Sequence, residues 1–468
     1  MNESRTLATW LSALQFKDIP APVLETARCF ILDNLGCQVA GAKLPWSQTY
    51  YNVTRNTRSG SHSTVAYFGD KFSPDDAAFI NSAFNHANET DSTHLRASVH
   101  PGGIAVPAAL ALGEYAQANG GRFLAAVVAA HEVQIRIALA CAPHLIQRGH
   151  HPPVAIGPFG AAAAGVILMN FDAAKALNAL AIAGSHSAGL VEYVNSGGSA
   201  KRIHSAIPTA AGVRAALFAE AGITGPASIL EGEKGFCKVF AGQYDLAQIT
   251  DGLGTNYHLH EVALKVHSTN HLMHAAYDAL DIVRDREPFS IDQVKQITVY
   301  TPSERILHHV GTVVEPKDVL AAQFSLAFSI AMRLHHGGRG VKGGNGFWDY
   351  PNVNLNDPAL LATAHKVKCA VGKEGEGSRE ERGIGIMVET TDGRRMREVV
   401  DYCKGMPQNP MSLDEVKEKF LSLVEPVLPP GRPRQIMDAI DNIESVTNMA
   451  DFAQLLVVPP ELRKPVYQ

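Results

Sequence analysis

The sequence predicts a mainly α-helical fold, in which a large helical domain formed by both chain ends, residues 1–265 and 409–468, carries a smaller inserted α+β domain, residues 266–408. Apolar residues recur at helical spacing in segment after segment up to about residue 265. The texture then changes to shorter, alternating stretches. From Ser412 helical spacing returns, and a helical tail after an α+β insert most simply packs back on the first domain.

Helices of the first domain are expected over 23–40, 74–87, 104–118, 123–142, 157–169, 173–190 and 206–221. Alanines and glycines crowd the faces these helices would bury, which lets their axes approach closely. Asp172 and Ser205 stand where N-caps belong, and Gly222 and Gly225-Pro226 where a helix stops. The most apolar stretch, 154–169, falls short of the roughly 20 residues that cross a bilayer, so a buried helix is expected there. In the second domain, 271–284 reads as a helix, 296–301 alternates as a strand, and 320–334 is helical again. Residues 384–389 and 398–400 flank Asp392-Gly393, a hairpin signal. The Gly/Glu-rich stretch 372–383 reads as an exposed loop, and 414–427, 434–443 and 449–456 as the returning helices.

Composition narrows the function. The chain has 468 residues, 46% of them hydrophobic, and a formal charge of -5, so no basic field attracts nucleic acid or an anionic membrane. An anionic ligand must instead meet cations gathered locally. Six scattered cysteines without a C-x-x-C pair fit reduced thiols, and MNESRTLATWL lacks the pattern of a secretory signal, so a cytoplasmic location is expected. The sequons at Asn52 and Asn88 then carry no meaning.

Several motifs suggest chemistry without supporting it. Gly338-x-Gly340-x-x-Gly343 matches a dinucleotide fingerprint but follows a helical run, not a strand, and reads as a helix exit. His267, His271 and His274 have a spacing that can place imidazoles on one helix face, yet no H-E-x-x-H accompanies them, and no metal is expected. Ser185-His186-Ser187 lacks a nucleophile elbow, and His131-Glu132 reads as a buried hydrogen-bonded pair.

Four polar runs interrupt the apolar texture: 88–103 (NETDSTHLRASVHPGG), 148–154 (RGHHPPV), 199–204 (SAKRIH) and 263–267 (ALKVH). In order and surroundings they resemble the MmgE/PrpD family, which includes 2-methylcitrate dehydratase, cis-aconitate decarboxylase and iminodisuccinate epimerase. Residues 31–37 (ILDNLGC), 157–164 (GPFGAAAA), 222–226 (GITGP) and 230–236 (LEGEKGF) extend the likeness over nearly the whole chain. The resemblance implies the two-domain fold with the active site between the domains, a homodimer, and no metal or organic cofactor. It places His100, His151, Lys201 and Lys265 as catalytic residues. It places Thr93, Asp91 and His274 in the site as well. Glu89 stands where the decarboxylase pattern often has aspartate, Ser92 replaces a second aspartate, and 301–311 contains no tyrosine where some decarboxylases use one.

These residue types suit proton transfer next to a carboxylate. Negative charge that develops there needs positive charge fixed beside it, which Lys201, Arg202 and Lys265 are expected to supply. Histidine titrates near neutral pH, which makes His100 and His151 natural acid/base groups, with Glu89 or Asp91 orienting an imidazole. Glu89, Asp91, Thr93, Arg202 and His274 are thus expected around a small anionic polycarboxylate. The expected activity is a cofactor-independent lyase, cis-aconitate decarboxylase-like or 2-methylcitrate dehydratase-like. An epimerase of the iminodisuccinate type and a non-catalytic helical binding protein are the alternatives.

Overall fold

The computed structural model describes residues 2–193, 198–373 and 375–463. It is mainly α-helical. The expected helices form as Ala21–Gly41, Pro74–Asn85, Gly102–Tyr115, Gly120–Cys141, Pro152–Leu168, Ala173–Gly184 and Ala206–Glu220. Pro152–Leu168 is buried along its whole length, between Gly120–Cys141 and Ala206–Glu220. Small residues permit this: a Cβ added to Gly212 would fall 2.2 Å from the Pro158 carbonyl oxygen, and one on Gly160 would fall 2.2 Å from Gln134 Cγ. Gly120–Cys141 is long and apolar enough to cross a membrane by composition, but it is buried inside the fold.

Local chemistry sets most boundaries. Asp172 accepts from the Lys175 N–H at 2.8 Å and starts its helix as expected. Ser205 does not cap: its backbone is already helical and continues the 3-10 turn Ser199–Ile203, so its side chain makes no cap bond. The helix expected over 173–190 stops at Gly184. The helix expected over 320–334 is two, Val319–Ala322 and Leu326–His336, because Ser325 accepts from the Phe328 N–H at 3.1 Å and begins a new one. Gly337, with φ +80°, ends it, and the glycines beyond form the exit the sequence suggested.

Two hydrophobic cores divide the chain. One draws on residues 7–264 and 416–458 together with Phe347, the other on the remaining buried apolar residues of 272–406. The second core lies on a four-stranded sheet in the order Val367–Val371, Val294–Thr301, Ile384–Thr390, Arg395–Val400. The first pair is parallel and the other two antiparallel. Val367–Val371 is an edge strand whose lysine and partial exposure hid it from periodicity. The region of the first core is not purely helical, since Ser63–Thr64 pairs with Lys71–Phe72 and Thr93–His94 with Val262–Ala263. All six cysteines are free thiols.

The chain ends meet at one buried ion pair. Lys419, on the helix Leu413–Val424, contacts Asp33 on Ala21–Gly41 and donates to the Thr90 carbonyl at 2.9 Å. Lys419→Met removes the counter-charge of a buried carboxylate and is expected to lower stability by about 3–5 kcal/mol in urea unfolding. Adding Asp33→Asn should recover about half of that loss, because the uncompensated charge is then gone. An equal or larger loss in the double variant would show that the pair acts through packing alone.

Candidate active site

The run 88–103 reaches the seam between the cores by a sequence of local constraints. After the helix Pro74–Asn85, Asn88 is clamped by later parts of the chain: Gln323 Nε2 donates to its Oδ1 at 2.9 Å, and its own Nδ2 donates to the Phe347 carbonyl at 2.8 Å. Glu89 then takes a left-handed conformation, φ +54°, which costs a non-glycine residue about 1–2 kcal/mol and turns its side chain inward. Thr93 pairs in register with Ala263, which brings Lys265 alongside. Gly102 and Gly103 open the next helix where a Cβ would strike Asn34, Ser92 and Ser205, so the chain can close over the buried carboxylate of Asp91.

A cavity of about 590 Å³ lies at this seam. Glu89, Thr93, His100, His151, Lys201 and Lys265 line it from one core, with Asn270, His271, Arg305, His309, Phe324 and Arg382 on the other side. Glu89 is the hub: one carboxylate oxygen contacts Lys201 Nζ, and the other lies 3.2 Å from Lys265 Nζ. Lys265 also donates to the Glu89 carbonyl at 3.1 Å. Burial pushes the Lys265 ammonium down to about 8, against the pull of Asp91. Burial, with Lys265 and Arg202 nearby, pushes Lys201 well below its ordinary value.

Two imidazoles face the cavity with one nitrogen tied behind them. His100 Nδ1 lies 3.1 Å from the Ser92 carbonyl and 3.2 Å from Asp91 Oδ2. A carbonyl only accepts, so Nδ1 carries the hydrogen and Nε2 is left for the cavity. Asp91 is shared, because His86 Nδ1 donates to the same oxygen at 2.9 Å. Although burial opposes its ionisation, His86 and His100 together hold the Asp91 carboxyl well below the usual range. His151, at the start of the helix Pro152–Leu168, has its Nδ1 2.9 Å from His204 Nδ1 and a Tyr193 ring at 5.3 Å. Burial, then the neighbouring imidazoles, push His151 well below the ordinary histidine value.

Three expected substrate contacts lie elsewhere. Asp91 is fully buried behind His100. Arg202, next to Lys201 in a 3-10 turn, points away, donating to the Ala87 carbonyl and lying 3.9 Å over the Trp46 ring. His274 is buried behind His271, stacked at 4.9 Å. Arg305, Arg382, His271, His309 and Tyr193 were not expected in the lining. Arg382 sits in the stretch read as an exposed loop but turns inward to donate to the Leu95 carbonyl at 3.0 Å. His131 and Glu132 are buried and bonded separately, to Val127 and to Arg136 and Leu259, rather than to each other.

Among the described residues, two groups bring metal-ligating atoms within 4.8 Å of one another, namely His271, His274 and Cys403, and His86, Asp91 and His100. Lys265 and Arg382 stand near the first, where their charges already work against protonation of His271 and would equally oppose a divalent ion. The second is built from the hydrogen bonds that orient His100.

Residues 5–249 match the MmgE/PrpD N-terminal domain and residues 267–445 the MmgE/PrpD C-terminal domain. The chain is similar to a cis-aconitate decarboxylase of Aspergillus terreus, 27% identical over 96% of this chain and 95% of that protein. A cis-aconitate decarboxylase-like protein of Aspergillus oryzae is 26% identical over 97% of each. The human cis-aconitate decarboxylase is 24% identical over 98% of this chain and 96% of that protein.

The buried imidazoles dictate how stability depends on pH. Burial holds His86, His131 and His204 down to about 4, and His151, His267, His271 and His274 well below the ordinary value. The unfolded chain protonates these rings near pH 6.5 while the fold does not, so stability must fall as pH drops from about 6.5 toward 4. The melting temperature is expected to decline steeply across that window, with net proton uptake on unfolding. A flat profile from pH 7 to 5 would mean that the rings are charged in the fold.

Proposed function

We propose, from the premise that this chain belongs to the MmgE/PrpD family, that it is a cofactor-independent lyase of a small unsaturated tricarboxylate, by decarboxylation of the cis-aconitate type. The two cores are then two domains, with boundaries near residues 265 and 408 and the site between them. One observation carries the reading: Lys201, Lys265, Arg305 and Arg382 converge on a cavity that holds one carboxylate side chain, Glu89, and two back-bonded imidazoles.

The chemistry follows from that arrangement. Loss of CO2 breaks a carbon–carbon bond and leaves its electron pair conjugated through the neighbouring double bond to a second carboxylate. The developing charge is stabilised by cations already in place, which need no reorganisation at the moment of reaction. The carbon at the far end of the conjugated system then takes a proton, so a trianion and one proton give a dianion and CO2. Among the histidines that line the cavity, His100 and His151 have Nδ1 tied back and are assigned the acid/base role. The apolar side of the cavity, from Phe324, Leu272 and Ile146, suits the carboxylate that leaves as neutral CO2.

Two imidazoles on one cavity also suit two-base proton exchange, the need of an epimerase of the iminodisuccinate type. Incubation with cis-aconitate, 2-methylcitrate and iminodisuccinate in deuterated water separates the readings. Consumption of cis-aconitate with CO2 release and one carbon-bound deuterium per product is expected. Label exchange into iminodisuccinate alone would favour epimerisation, and silence with all three would leave a non-catalytic protein. Lys201→Ala is expected to lower kcat/KM by about 10²–10³, the usual loss when a fixed partner of developing charge is removed. A change within about threefold would take Lys201 out of the mechanism.

A further inference from the structure

The pairing of His151 with His204 is more specific than a contact between two rings. Their Nδ1 atoms lie 2.9 Å apart, with the ring centroids at 4.8 Å, and Tyr193 stands edge-on to both, at 5.3 and 5.4 Å. Two Nδ1 atoms at this distance share a single hydrogen, since two would collide and none would leave two lone pairs in repulsion. The position of that hydrogen sets the other end of each ring. When His204 donates, His151 accepts at Nδ1 and carries its own hydrogen on Nε2, as a donor to the cavity. When His151 donates, its Nε2 is bare and can accept. His204 itself does not line the cavity.

The surroundings keep the pair neutral. His204 faces Lys201 from its own turn, His86 from the end of the helix Pro74–Asn85, and His151 from the start of Pro152–Leu168. His151 faces His100 and His86 as well. Among the described residues no carboxylate acts on either ring, in contrast to His100, which has Asp91. A neutral pair passes a proton without storing charge in a cavity already rich in cations.

We propose that His204 is the positioning residue that sets which nitrogen of His151 carries the hydrogen, and that it gives His151 Nδ1 a proton as Nε2 gives one up. This rests on the decarboxylase reading. His151 Nε2–H protonates the product carbon, the hydrogen between the rings moves from His204 Nδ1 to His151 Nδ1, and His204 takes up one proton at Nε2, so neither ring is left charged. Once the product has gone, His151 Nε2 takes a proton from solvent, the shared hydrogen returns to His204 Nδ1 and His204 Nε2 releases its proton, which restores the pair with one proton consumed. In the competing order His151 Nε2 gives up its hydrogen and regains one from solvent while the shared hydrogen stays on His204 Nδ1, which leaves His204 a spectator.

Two variants and one spectroscopic measurement decide between them. His204→Phe keeps the ring volume but removes the shared hydrogen, and is expected to lower kcat about a hundredfold with KM within about threefold. His204→Asn can place an amide near the lost Nδ1 and orient His151 but cannot pass a proton through, so its kcat should fall about tenfold with KM unchanged. Full activity in the asparagine variant would reduce His204 to orientation, and activity within about threefold in both would make it a spectator. Nitrogen-15 NMR of histidine-labelled wild type should show scalar coupling across one Nδ1–H···Nδ1 bond, lost in both variants. This readout needs no substrate. Its absence overturns the pairing even if cis-aconitate is turned over, whereas its presence with no turnover removes the decarboxylase reading and leaves the tautomer assignment standing.

Discussion

The site depends on Glu89 being held between Lys201 and Lys265. The three charges come from a turn after a helix, a 3-10 turn and the end of a two-residue strand, and each is at most 5% exposed. An ammonium taken out of water without a partner loses its proton or its place. Two ammonium groups around one carboxylate are satisfied in hydrogen bonding yet leave one positive charge over. The left-handed backbone at Glu89 is the cost of aiming that carboxylate at both. On the proposed reading, a substrate carboxylate entering the cavity would meet cations whose positions are already set and compete with Glu89 for them.

Holding Glu89 there requires structure from the whole chain. The Asp33–Lys419 pair joins the two chain ends directly behind Thr90. Gln323 and Phe347, from the later part of the chain, grip Asn88 from the other side. Strand pairing of Thr93 with Ala263 sets the register of Lys265 against the loop. The helical scaffold supplies rigidity because its small residues let Pro152–Leu168 lie fully buried between two neighbours. Core packing, ion pairing and backbone register thus converge on one short polar run.

Much of this was legible in the sequence, and the gaps have physical reasons. The helices were readable because their apolar residues run at helical spacing or, as in Pro152–Leu168, fill a wholly buried segment. Val367–Val371 was not, since an edge strand of five residues has too few periods to declare itself. Residues in dense polar runs, Glu89, Thr93, His100, His151, Lys201 and Lys265, were found together at the cavity, because a run of costly groups in an apolar chain needs a common destination. Arg202 was placed there as a source of positive charge and His274 by the family resemblance, but the fold turns Arg202 onto Trp46 and buries His274 behind His271. Arg305 and Arg382 carried no local signal, because only the tertiary fold brings them to the seam, whereas His204 stood inside the polar run 199–204 without a role of its own.

The division of labour among the basic groups follows from burial. Lys265 keeps its charge at neutral pH although burial pushes it down to about 8, and contact with the Glu89 carboxylate opposes the burial that pushes Lys201 well below its ordinary value. The histidines are driven the same way from a lower start: burial, with Lys201 nearby, holds His86 and His204 down to about 4, and burial with the neighbouring imidazoles holds His151 well below its ordinary value. The imidazoles around His151 therefore bring hydrogen bonds and no charge, so charge recognition and proton movement are assigned to different side chains. On the proposed decarboxylation, a trianion held through Lys201, Lys265, Arg305 and Arg382 would lose part of that attraction once CO2 departs, because the product carries one charge fewer. The same cations would then hold the product less tightly, and imidazoles that stay neutral would leave no added charge to retain it.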